Sequence, residues 1–98
     1  MTHSSRSRDE IHSRIVATFP ESLETLKALV RIPSVSWDGY PADEVRRSAE
    51  FVAERVRALG IFDEVQVVTE PFADVPGYGQ PAVLARRDPA PGYPTVLL

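Results

Sequence analysis

The sequence predicts an α/β fold in which amphipathic helices cover an incomplete sheet of about three strands. Three observations carry this expectation. Apolar residues recur every three or four positions in the first two thirds of the chain, and the period changes after Gly60 to short runs that are β-branched or apolar. Most of the nine prolines fall between those runs, where they interrupt regular structure.

The first helical stretch is expected near residues 10–31. Ile11, Ile15, Phe19, Leu23, Leu26 and Val30 succeed one another at intervals that place them on a single stripe. Pro20 lies inside the run and lacks a backbone donor, so a kink or a break is expected there, with Pro20 opening a second segment. Pro33 pushes Ile32 out of the α region and closes the stretch. Ahead of it, residues 1–9 read as a flexible tail, since MTHSSRSRDE carries Ser and Arg but leads into no apolar targeting segment.

The second helix, near 42–59, is marked by Val45, Ala49, Val52, Val56 and Leu59. Pro41 suits its first turn, Asp43 and Glu44 favour the positive end of its dipole, and Gly60 is placed to end it in the left-handed conformation. Asp43 and Arg47 stand four residues apart, a spacing that lets them pair.

Strands are expected near 64–69 (EVQVVT), 82–87 (AVLARR) and 94–98 (PTVLL). PFADVPGYGQP connects the first two and DPAPGYP precedes the third, both rich in turn residues. An apolar strand without polar alternation belongs inside a sheet, so the third strand suggests that residues 10–98 are the N-terminal part of a larger domain.

Composition excludes several functions. A net charge of -3 with acidic and basic residues interleaved gives no electrostatic footprint for nucleic acid. No apolar run reaches the length of about 20 residues that spans a bilayer. Without cysteine there is no disulfide, thiolate metal site or thiol nucleophile, which suits a cytoplasmic location. Lys27 is the one lysine among eleven basic residues. The arginine excess fits carboxylate or phosphate recognition, but compositional bias is the plainer reading.

The residues that could form a site divide by chemical class. His3 and His12 stand nine residues apart, on opposite sides of a helix if both are helical, and His12 is expected to face solvent. Ser34, Ser36 and Ser48 lack a GxSxG turn and a histidine downstream, and the first two are expected to bond to nearby backbone. Gly77 and Gly79 form a lone GYG without the flanking elements of a phosphate cradle. The neighbouring carboxylates Asp43 and Glu44, and Asp63 and Glu64, read as solvated charges at element ends. Trp37 and Tyr40, around Asp38 and Gly39, form either a substrate-facing edge or an aromatic clamp, with packing over the core as the expectation. No catalytic, metal or substrate-binding residue can be assigned on these grounds.

Several stretches resemble, in order, the opening of the zinc-dependent peptidase and deacylase family that includes cytosolic dipeptidases, carnosinase, carboxypeptidase G, acetylornithine deacetylase and succinyl-diaminopimelate desuccinylase. They are LETLKALVRIPSVS (23–36), SAEFVAERVRALGI (48–61), and PAVLARR with PTVLL after it. The resemblance covers about residues 20–98, and GQPAVLARR leans toward the dipeptidase branch. It implies a parent hydrolase that opens the amide bond of a dipeptide or N-acyl amino acid with two divalent metal ions, usually zinc in that family, and it allows for a homodimer. In that family the strand matching TVLL leads to a His-x-Asp metal motif, which would fall beyond Leu98. The segment itself is then expected to be an inactive scaffold that binds no metal, neither nucleic acid nor membrane being a partner. An autonomous α/β interaction module and a non-catalytic regulatory relic are the competing readings.

Overall fold

The structure is a computed structural model, and it describes residues 7–70 and 79–98. Two α-helices precede two β-strands, in the order α1 (Arg8–Val30), α2 (Ala42–Ala58), β1 (Glu64–Val68) and β2 (Ala82–Arg86). The chain divides into one unit containing α1 and another, Ile32–Leu98, containing the remaining elements.

The N-terminus of α1 is set by a reciprocal cap. The Ser7 hydroxyl accepts the Glu10 N–H at 3.2 Å, while the Glu10 carboxylate accepts the Ser7 N–H at 3.2 Å. Two donors that a helix start would otherwise leave without partners are thereby satisfied. The helix therefore begins two residues before the expected start, taking in Arg8 and Asp9 from the stretch read as tail.

Of the two outcomes expected at Pro20, a kink or a break, the break does not occur, because α1 continues through it for a total of 23 residues. Proline's fixed φ is itself helical, and what it removes is the donor that would reach the Val16 carbonyl. Val16 and Phe19 are exposed, so that carbonyl lies at a solvent-facing part of the helix. Further along, Lys27 pairs with Glu24 at 3.0 Å. The helix ends before Pro33, with Arg31 as its C-cap, as the proline spacing requires.

In the second unit, α2 begins after Pro41, which caps with its extended backbone and no side-chain bond. Asp43 and Glu44 occupy the first turn and Arg55 and Arg57 the last, each sign at the dipole end that favours it. Arg47 pairs with Glu44 at 3.1 Å, a correction to the expected partner Asp43. Residues three apart on a helix are neighbours just as those four apart are, and here the guanidinium takes the nearer carboxylate. Gly60, at φ 67°, turns the chain out of the helix in the left-handed region.

β1 and β2 form an antiparallel pair with Glu64 opposite Arg86, Val65 opposite Ala85, Gln66 opposite Leu84, Val67 opposite Val83 and Val68 opposite Ala82. This register puts Val65, Val67, Val83 and Ala85 on one face and Glu64, Gln66, Leu84 and Arg86 on the other. Val65, Val67 and Val83 are half-buried, whereas Glu64, Gln66, Leu84 and Arg86 are exposed. α2 packs against both strands.

The packing centre is Ala53, fully buried at 0% exposure, with Ile32 at 6%. Val45, Ala49, Val52 and Val56 flank it half-buried, but Leu59 lies outside the packed stripe at 61% exposure. The buried line of α2 is thus centred on an alanine, a small side chain that lets the helix backbone approach its neighbours closely.

The expectation of a third strand at 94–98 is also corrected. The sheet of the described residues has two strands, and residues 94–98 have no regular secondary structure. Val96, Leu97 and Leu98 are exposed. A strand exists through the ladder it makes with a neighbour, and an apolar β-branched run without one stays irregular. The turn preceding it does form: Tyr93 N–H donates to the Ala90 carbonyl at 3.2 Å, with Gly92 at φ 82° in the position where a type II turn requires it.

Candidate functional site

The side chains that could carry chemistry are distributed over the fold, and most already have structural work. At the open end of the hairpin, the Asp63 carboxylate accepts the Asp88 N–H at 2.6 Å, and the Asp63 N–H donates to the Arg86 carbonyl at 2.9 Å. The adjacent Glu64 is held differently. Its Oε2 receives Arg86 Nη2 at 3.2 Å across the strand pair, and its Oε1 receives Gln66 Nε2 at 2.9 Å. Arg86 also reaches Asp88 at 3.8 Å. The neighbouring carboxylates therefore take different direct partners, Asp63 the Asp88 backbone and Glu64 the side chains of Arg86 and Gln66.

A shallow depression of about 330 Å³ lies over the hairpin face that carries Glu64, Gln66, Leu84 and Arg86, with Ala85 completing its lining. Its charged groups bond to one another, so they do not converge on a common point where a ligand would be held.

His12 is on α1 and exposed, as expected, whereas His3 lies outside the described residues. No group of three or more His, Asp or Glu side chains that could hold a metal ion occurs among the described residues. These side chains do not fit the metal pair implied by the family resemblance.

The serine expectation is corrected in its details. In the turn after α1, Ser34 N–H donates to the Ile32 carbonyl at 2.7 Å and Val35 N–H to the Pro33 carbonyl at 2.9 Å. These are main-chain bonds, and the Ser34 and Ser36 hydroxyls enter no hydrogen bond among the described residues. Backbone amides two residues on can close the turn themselves, which removes the need for a hydroxyl acceptor. Ser48 is half-buried on α2. Gly79 is in irregular chain, and Gly77 lies outside the described residues.

Trp37 and Tyr40 overturn the packing expectation, being 76% and 55% exposed. The reason is the turn that carries them. Tyr40 N–H donates to the Trp37 carbonyl at 3.1 Å and Gly39 takes φ 89°, an arrangement that puts the aromatic residues at the two ends of a surface turn.

The arginines are used largely within the second unit. Arg46 pairs with Glu50 at 3.7 Å, Arg57 with Glu54 at 2.9 Å, and Arg55 lies 5.3 Å from the Phe51 ring centroid. Arg57 also donates to the Val65 carbonyl at 3.4 Å, linking α2 to β1. These contacts account for several arginines through intramolecular pairing. Sequence reasoning missed two positions that organise this unit, Ala53 and the Asp63 carboxylate at Asp88. The first is hidden by alanine's weak apolar signal, and the second joins positions 25 apart in the chain.

No helix among the described residues is long and apolar enough to cross a membrane. No family model matches the chain, and neither a curated protein nor a solved structure matches it.

Proposed function

We propose that this chain is the N-terminal portion of a metal-dependent hydrolase that cleaves the amide bond of a dipeptide or an N-acyl amino acid, and that its own role is scaffolding. The observation carrying the proposal is the order of three motifs: LETLKALVRIPSVS, SAEFVAERVRALGI, and PAVLARR with PTVLL after it. Each is short, and the reading rests on their succession at these separations.

The second unit supports the same reading. SAEFVAERVRALGI supplies most of α2 and its left-handed exit at Gly60, while PAVLARR supplies β2. Helix, glycine exit and hairpin therefore succeed one another in the order the resemblance implies, with α2 against the strands. The role proposed for the segment is to support the run 94–98, which has no regular structure among the described residues and which the resemblance connects to the reactive groups.

No catalytic step is assigned to residues 1–98. Their described side chains do not assemble a metal site, and Asp63, Glu64 and Arg86 are engaged in holding the hairpin. The proposal assigns the metal ligands and the general base to sequence beyond Leu98, as the resemblance implies.

The test is an assay of the full-length gene product against a panel of dipeptides and N-acyl amino acids. Metal-dependent hydrolysis that is abolished by a chelator and restored by zinc is the expected result. A purified full-length product without amide hydrolase activity under any divalent metal would overturn the proposal.

A further inference from the structure

We draw no further inference here: the strongest candidate, the apolar stripe of α1 from Ile11 through Ile15, Phe19, Leu23 and Leu26 to Val30, is an exposed helix face, and nothing in the structure shows what covers it.

Discussion

The carboxylate of Asp63 accepts the backbone N–H of Asp88 at 2.6 Å, joining the chain just before β1 to the chain just after β2. The Asp63 N–H donates to the Arg86 carbonyl at 2.9 Å, so one residue holds the open end of the hairpin with both side chain and main chain. A two-stranded sheet is marginal by itself, and bonds at its open end limit fraying where the turn gives no help.

Asp63→Ala should therefore destabilise the second unit by about 1 kcal/mol, the usual net value of one hydrogen bond. Hydrogen exchange at the Asp88 amide should accelerate, while Asp63→Asn, which keeps an acceptor oxygen, should lose less. Unchanged exchange at Asp88 in the alanine variant would show that this bond does not hold the hairpin end.

Ala53 tests the packing of α2 on the strands. Ala53→Leu adds volume at a site with no exposure and should cost about 1–3 kcal/mol through overpacking. Leu59→Ala, at an exposed position, should stay within about 0.5 kcal/mol. The comparison is made by denaturant midpoint, and an equal effect of the two substitutions would contradict the described packing.

Within α1, Pro20→Ala restores the donor to the Val16 carbonyl and removes a residue that disfavours a helix interior by about 3 kcal/mol. Ser7→Ala removes the reciprocal cap and should cost about 1 kcal/mol of helix stability. Far-UV circular dichroism should show helicity rising in the first variant and falling in the second. Helicity unchanged by Pro20→Ala would argue that the proline does not limit α1.

The elements that read clearly from sequence are those whose signals are local. Gly60, the acidic first turn of α2, the β-branched run of β1 and the short apolar run of β2 each act within a few residues, and all four features are where the pattern puts them. Pro20 leaves a kink and a break both open in the sequence because its φ suits the helix that its missing donor weakens. Residues 94–98 show the limit of propensity: an apolar run marks chain that suits a strand, but pairing requires a neighbour that composition does not specify. For the candidate residues, His12 is exposed as expected, but so is the apolar stripe of α1, so spacing does not set its exposure, and that of Trp37 and Tyr40 depends on the turn between them.

Metal titration separates a scaffold from an autonomous metal site. Zinc added to residues 1–98 should give no stoichiometric binding in calorimetry, and His12→Ala should leave the titration unchanged. Stoichiometric uptake abolished by that substitution would place a metal ligand on α1 and contradict the scaffold reading.

The hydrolase assignment depends on the residues that the gene encodes after TVLL, and sequencing the coding region immediately downstream of Leu98 tests it most directly. A histidine and an aspartate separated by one residue, within a few codons, is the predicted result. A stop codon at that point, or an open frame without such a pair, would contradict the assignment to a metal-dependent amide hydrolase.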